Sequence, residues 1–476
     1  MTNSAKPAVL YAAPPREGHM RPALQICSYL VSRGFDVTLL GSQRWKAAIE
    51  ATGAYFGPIV GLWNSLDDVS RWPSIALQQD AKLRLRAALG DGFTMLLPSG
   101  FQSVFLSLNE MRRRLGKRKI VILTDTCFSG TMCFKLDTAL PPGFENSVND
   151  LSLLGIGVVP AHWVSPERPP WGSGLPFDDS SAGRQRNVEA HAEAYDQGVE
   201  DRARMILTML DCKKSLDDVL EPYAREGLKR PLWDAVSVIN DTTLQMGLSS
   251  LEYPAADWPS HMKFAGHLPR TKTIEDTLIY PSWWDEITSN SAKAVPVKEA
   301  RKKIVLVAQG TEILDYNKLI IPTIQGLADR SDILVVAVLC IRGATLDEYR
   351  SEAFPDGVLP GNVHTLDYFP YDAVLAHADL FISNSGYGGL THAIANAVPM
   401  LQNGNDFDKA DIGRRVEYAG LGMYLGGPPP APHEVAEAVD DLLSNDKYQR
   451  RAWELQAEAE AARPLEAVER EIMALV

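Results

Sequence analysis

A chain of 476 residues is too long for one hydrophobic core of ordinary size, so at least two domains are expected. Hydrophobic residues make up 45% and charged residues 22%, and the formal net charge of −13 with a pI near 5.3 argues against a nucleic-acid surface. The strongest basic run, Arg112 to Lys119, reads as the solvated end of a helix. No apolar run approaches the roughly 20 residues of a membrane helix, which leaves peripheral contact as the only membrane association still open. The start of the chain makes a poor signal peptide. The five cysteines, Cys27, Cys127, Cys133, Cys212 and Cys340, lack C-x-x-C or metal spacing, as expected of buried thiols in a reducing compartment. These features predict a soluble, cytoplasmic protein.

In chain order, Pro7 to Ala13 has a buried-strand pattern and is broken by Pro14-Pro15. Gly18-His19-Met20-Arg21-Pro22 then leads into a helical stretch to Ser32, with Gly34 as its stop and Phe35 to Leu40 as the next strand. Ligands of open α/β sheets bind where strand C-termini meet such loops, which is where His19 falls. By itself this stretch favours a solvated or capping histidine at His19 over a catalytic one. Ala47 to Gly53 predicts a helix and its stop, and Ala54 to Gly57 a short strand. Gly61 to Gly100 mixes aromatic and polar residues that could form core or a ligand wall, and Val104 to Leu115 is amphipathic. Ile120 to Leu123 is a strand running into Asp125, which could orient an imidazole or simply cap the following turn. Pro141 to Gly183 reads as one long loop, Asn187 to Leu210 as a helix, Ser215 to Leu220 as a short helix, and Ala235 to Ile239 as a strand.

Leu248 to Pro269, rich in proline and turn residues, reads as the exit from a first domain, followed by a polar connector. Strand–helix alternation then resumes with Lys303 to Ala308, the turn Gln309-Gly310-Thr311, and a helix over Ile320 to Ala328. Ile333 to Leu339 has the composition of a strand buried on both faces. The runs Leu380-Phe381-Ile382 and Val398-Pro399-Met400-Leu401 alternate with helical periods over Asp372 to His377, Leu390 to Ala397 and Ala410 to Ala419. Between them, Asn384-Ser385-Gly386-Tyr387-Gly388-Gly389 is a glycine-dense turn opening into a helix. Backbone N–H groups and a helix N-terminus make such a turn a diphosphate cradle. Asp446 to Val476, rich in Ala and Glu, predicts terminal helices.

With these motifs in place, the chain resembles the family 1 UDP-dependent glycosyltransferases, in particular a fungal and bacterial branch that modifies lipids and natural products. The anchors are GHMRP at Gly18 to Pro22, the strand-end Asp125, LEYPAADWPSHMKFAGHLP, Gln309-Gly310-Thr311, PYDAVLAHADLFISNSGYGGLTHAI and DKADIGRRVEYAGLG. The resemblance implies a GT-B fold, two Rossmann-like doubly wound α/β domains facing across a cleft. The expected division is an acceptor-binding domain over 1–250, a connector over 251–302, a nucleotide-sugar domain over 303–445, and helices over 446–476 that return to the first domain. It also implies an inverting transfer of a hexose, glucose foremost, from a UDP-sugar to a hydroxyl of a small molecule, with no metal or other cofactor required. His19 would be the general base and Asp125 its orienting partner.

For the donor, the resemblance implies contacts from Gln309, Gly310 and Thr311, from Phe369 beneath the uracil, from Asn384 to Gly389 around the diphosphate, and from His392, Asp408 and Lys409. Asn384, His392, Lys409 and Phe369 depart from the residues commonly found at those positions, which leaves the sugar and nucleotide open. For the acceptor, the apolar set Met20, Trp63, Trp72, Phe93, Phe128 and Met132 suggests a hydrophobic or aromatic compound, although the same residues could be ordinary core. Asp406-Phe407-Asp408 is a D-x-D, a metal-binding signature elsewhere, but here without further acidic ligands nearby in sequence. The competing readings are a nucleotide-sugar epimerase of the same architecture and a catalytically silent nucleotide-binding protein.

Overall fold

The computed structural model describes residues 6–65, 80–144, 151–269, 278–291, 301–310 and 315–476. The first half contains β1 (Ala8–Ala12), α1 (Glu17–Ser32), β2 (Asp36–Gly41), α2 (Lys46–Ala51), β3 (Tyr55–Pro58), α3 (Ala81–Ala87) and α4 (Met95–Leu115). It continues through β4 (Ile120–Asp125), β5 (Leu151–Gly157), α5 (Ser181–Ala194), α6 (Gln197–Met209), α7 (Leu232–Val238), β6 (Thr242–Gln245) and β7 (Met262–Phe264). These strands form one seven-stranded sheet in the order β3-β2-β1-β4-β5-β6-β7, every pairing parallel.

The second half contains α8 (Trp284–Asn290), β8 (Lys303–Ala308), α9 (Ile320–Gly326), β9 (Ile333–Val338), β10 (Val363–Leu366), α10 (Tyr371–Leu375) and β11 (Leu380–Ser383). Then follow α11 (Tyr387–Ala395), β12 (Met400–Gln402), α12 (Lys409–Tyr418), β13 (Gly422–Tyr424), α13 (Asp446–Ala461) and α14 (Pro464–Ala474). Its sheet is six-stranded, in the order β10-β9-β8-β11-β12-β13, again all parallel. Parallel strands are covered on both faces, which explains why β1, β4, β5, β9 and β11 are buried from end to end.

Strand order reverses between β1 and β4 in the first sheet and between β8 and β11 in the second. Loops diverge at such a reversal and leave a crevice beyond the strand C-termini. Register places Ala12 beside Thr124 and Ala308 beside Ser383, so the loops bearing His19 and Asp125 adjoin in one half, and those bearing Gln309 and Asn384 in the other.

Several expectations are corrected. The stretch expected as one loop from Pro141 holds β5, whose LSLLGIG run is a fully buried strand overshadowed by proline- and serine-rich flanks. The helix expected over Asn187 to Leu210 is two helices, interrupted where Tyr195 takes an extended ψ and the Asp196 side chain caps α6. The strand expected at Ala235 to Ile239 is helix α7, since its residues are buried all round and give no period to read; β6 begins after it, at Thr242. Within Leu248 to Pro269 lies β7, an edge strand of three residues, too short for a pattern.

The last two helices divide between the halves. Ala452 and Leu455 of α13 lie in the core beside β8 and α11, whereas Ala467, Val468 and Ile472 of α14 lie in the core with Val9, Tyr11 and Leu30. Lys6, Tyr29 and Arg33 all engage Glu469, which fastens α14 to the start of the chain.

Packing of α6 against α7 buries Glu200, whose two oxygens accept from Leu232 N–H at 3.0 and 3.1 Å. Desolvation outweighs that bond and pushes the carboxyl up to about 7. A folded value above the unfolded one means that stability is present at low pH and lost as pH rises through about 7. Glu200→Gln is therefore expected to raise the unfolding free energy at pH 8, by at most about 3 kcal/mol. Denaturant titrations should show the gain shrink as pH falls through about 7 and disappear below the ordinary glutamate value of 4.5.

Candidate functional site

β4 ends in a buried Asp125, 0% exposed, because the strand runs straight to the crevice before turning. One carboxylate oxygen accepts from Cys127 N–H at 2.8 Å and shapes the turn; the other lies 2.9 Å from His19 Nδ1. Asp125 thus contacts both the turn and the imidazole, with one oxygen for each. His19 sits in the first turn of α1 with its side chain 16% exposed. Donation from Nδ1–H to the carboxylate leaves Nε2 as the basic nitrogen of this imidazole. His19, Asp125 and Cys127 also place one N, one O and one S donor within 4.8 Å of one another.

In the second half, Ser385 adopts φ +54, a left-handed conformation that is uncommon outside glycine and that accumulates at ligand sites. Gly386 caps α11 with extended backbone, and Cβ atoms at Gly386 and Gly388 would meet no heavy atom within 4 Å. The turn is therefore open on the side the helix N-terminus faces. Asn384 Nδ2 and Ser385 Oγ are buried there without a hydrogen-bond partner among the described residues, a donor surplus that suits an anion.

The two halves meet at the start of α12. Burial pushes the Asp408 carboxyl above its ordinary range, while Lys409, His19 and Arg415 pull it back, so Asp408 of the second half lies within electrostatic reach of His19 of the first. Asp406 instead pairs with Arg84 of α3 at 2.6 Å. Asp411 accepts from Gly172 and Gly174 N–H of the first half, and Arg414 donates to Gly174 O at 3.0 Å. Deeper in the interface, Glu252 receives Arg168 and Arg415, each at 2.9 Å.

Other residues behave differently from expectation. Gln309 is 3% exposed and its side chain caps α9: Oε1 accepts from Leu319 and Ile320 N–H, and Nε2 donates to Asp315 O. A helix N-terminus must satisfy its free N–H groups, and here the glutamine side chain does so. Gln309→Ala is accordingly expected to cost about 1–2 kcal/mol of stability in denaturant melts, with UDP affinity within about twofold. Gly310, at φ +75, makes the turn.

Phe369 is 6% exposed, in the core against Trp284 at 5.3 Å. The open ring is that of its neighbour Tyr368, 39% exposed, with the Arg342 guanidinium 4.5 Å from its centroid. His392 is held by Asp372 at 3.1 Å. Met20, Trp63, Phe128 and Met132 are at most 1% exposed and fill core, with Trp63 stacked on Phe128 at 4.7 Å, so they offer an acceptor no surface. Phe93 is only partly buried and stands edge-on to Trp233 at 4.9 Å, in a π-helical segment between α3 and α4. Thr311 and Trp72 lie outside the described residues.

Tyr368, Trp233, Glu252 and Arg415 were not singled out from sequence. The exposed side of an aromatic pair and the partners of a buried ion triad have no sequence signal.

The sequence is 32% identical over 469 residues to UDP-glucosyltransferase 1 of Beauveria bassiana, with 98% of this chain and 94% of the relative covered. The chain belongs to the family 1 UDP-glycosyltransferases. UDP-glucosyltransferase A1 of Starmerella bombicola is 28% identical, over 99% of this glycosyltransferase and 92% of its own length. Residues 344–475 match the family described as Erythromycin biosynthesis protein CIII-like, C-terminal domain. Among solved structures, the kitacinnamycin glycotransferase superposes with a TM-score of 0.64 at 20% identity, covering 98% of this chain and 99% of that one. Both parallel sheets of the UDP-glycosyltransferase therefore form the GT-B fold expected of it. No helix among the described residues is long and apolar enough to cross a membrane.

Proposed function

We propose that this enzyme transfers glucose from UDP-glucose to a hydroxyl of a small, largely apolar molecule, inverting the anomeric centre. The observation that carries the reading is the His19–Asp125 pair at 2.9 Å, placed at the reversal of the first sheet and within electrostatic reach of Asp408. An alcohol is a poor nucleophile near neutral pH, and a positioned base typically contributes about 10²–10⁴-fold. His19 Nε2 takes the hydroxyl proton as the oxygen attacks the anomeric carbon, and the bond from that carbon to the diphosphate oxygen breaks. Asp125 holds the imidazole in the required tautomer and balances the charge it gains.

The departing UDP carries growing negative charge. The N–H groups of the Ser385 to Gly389 turn, the α11 dipole and the Asn384 amide meet it without rearranging. Tyr368 provides the aromatic face for the uracil, and Asp408 and Lys409 reach the sugar hydroxyls. Phe93 and Trp233 are the apolar wall open to an acceptor. The donor assignment is supported by the relatives from Beauveria bassiana and Starmerella bombicola, both named UDP-glucosyltransferases.

The test is a matrix of UDP-glucose, UDP-galactose, UDP-N-acetylglucosamine and dTDP-glucose against phenolic, sterol and hydroxy-fatty-acid acceptors, read by mass spectrometry with and without EDTA. Glucosides of apolar acceptors, formed equally in EDTA, are expected. Products from small polar acceptors only would overturn the acceptor class, and activity lost to EDTA but restored by Mn²⁺ would overturn the metal-free route.

A further inference from the structure

The donor turn contains one side chain that leaves it in the opposite direction. Tyr387 is the first residue of α11, next to Gly386, and its hydroxyl crosses to the first half, where it donates to Met246 O at 3.3 Å. Met246 belongs to the core of the first sheet, and its own N–H bonds Gly157 O at 2.7 Å. The Gln245 side chain reaches the same hydroxyl and is itself fixed by donating to Val159 O at 2.7 Å. The His267 ring stands perpendicular to the tyrosine at 6.0 Å. Gly247 completes the socket, because a Cβ there would lie 2.6 Å from the Tyr387 oxygen. Residues from the ends of β5 and β6 and from beyond β7 therefore form a fitted seat for one side chain of the other half.

We infer that Tyr387 is a positioning residue: it sets the diphosphate turn against the half that carries His19, so that the cradle reaches its working place only when the hydroxyl is seated beyond β6. The inference rests on the reading of Asn384 to Gly389 as the donor cradle, and assigns Tyr387 to cleft closure in place of donor contact. A residue that only contacted UDP would act on UDP affinity. One that registers the two halves acts on turnover, since in-line attack tolerates little misplacement of the reacting atoms.

The experiment combines Tyr387→Phe, Gly247→Ala and the double variant, with kcat for UDP-glucose transfer, UDP affinity by calorimetry, and the radius of gyration by small-angle scattering with and without UDP. Tyr387→Phe is expected to lower kcat about tenfold, with UDP affinity within about twofold and the UDP-induced compaction diminished. Gly247→Ala lowers kcat further because its methyl strikes the hydroxyl. In the phenylalanine background that oxygen is gone, so the alanine adds less than about threefold, a non-additivity that distinguishes direct contact from two independent defects. Additive effects, or a loss carried wholly by UDP affinity, would overturn the inference. Tyr387→Phe with unchanged kcat in an enzyme that binds UDP removes this inference alone, whereas a wild type that binds no UDP removes the cradle reading beneath it.

Discussion

Replacing His19 by alanine is expected to lower kcat for glucosyl transfer by about 10³-fold while UDP affinity stays within about twofold. The asymmetry follows from where the imidazole stands. It belongs to the first half and pairs with Asp125, whereas the turn from Asn384 to Gly389 lies in the second half, between the end of β11 and the first turn of α11. Asp125→Asn keeps the shape of the turn, since an amide oxygen can still accept from Cys127 N–H, yet it weakens the hold on Nδ1–H and no longer balances an imidazolium. Its loss should approach that of His19→Ala, and the double variant should be little worse than either, as befits residues acting as a unit. Stopped-flow turnover with calorimetric UDP binding separates the outcomes. Turnover undiminished in His19→Ala would transfer the base role elsewhere.

Glu252→Ala is expected to destabilise the protein by about 3–5 kcal/mol, the usual result of leaving buried charge without its counter-ion. Arg168 and Arg415 are 2% and 4% exposed and share this one carboxylate, so its removal leaves two guanidinium groups at the interface without the carboxylate they bond, Asp411 acting on them only at longer range. The hydrogen bonds of Arg168 to Ala161 O and of Arg415 to Asp411 O remain, but neither supplies charge. Guanidinium is weakly hydrated and cannot shed its proton near neutral pH, so the structure must open or admit water. Glu252→Gln should fall between the two, keeping an acceptor without the charge. Denaturant midpoints and chloride dependence of melting provide the measurement; an unchanged midpoint in Glu252→Ala would show that the triad contributes nothing net.

Much of this arrangement was legible in the residues. His19 and Asp125 could be placed on one sheet edge because each ends or follows a recognisable buried strand, and the order of those strands makes them neighbours. The turn from Asn384 to Gly389 declared itself by glycine density between a strand and a helix. What could not be read depends on contacts remote in sequence. Phe369 and Tyr368 are adjacent and both aromatic, and only the packing of Trp284 decides which ring is buried. Trp63 and Phe128 look equally suited to a ligand wall or a core until they are found stacked on each other. Gln309 resembles a donor contact in sequence, but its geometry serves the helix that follows.

The return of α14 to the first sheet has a consequence for how the polypeptide is made. Val468 and Ile472 complete a core whose other members include Val9 and Tyr11, and Glu469 fastens Lys6 and Arg33. Ribosomes deliver N-terminal segments first, and domains commonly fold as they emerge. Here an early segment waits for a much later one: α1 covers part of that face of the sheet, and the rest stays uncovered until Ile472 has left the exit tunnel. During that interval the nascent chain is a natural client for chaperones. A truncation that removed α14 would damage the core beneath the first sheet, hundreds of residues away, leaving the second sheet comparatively intact.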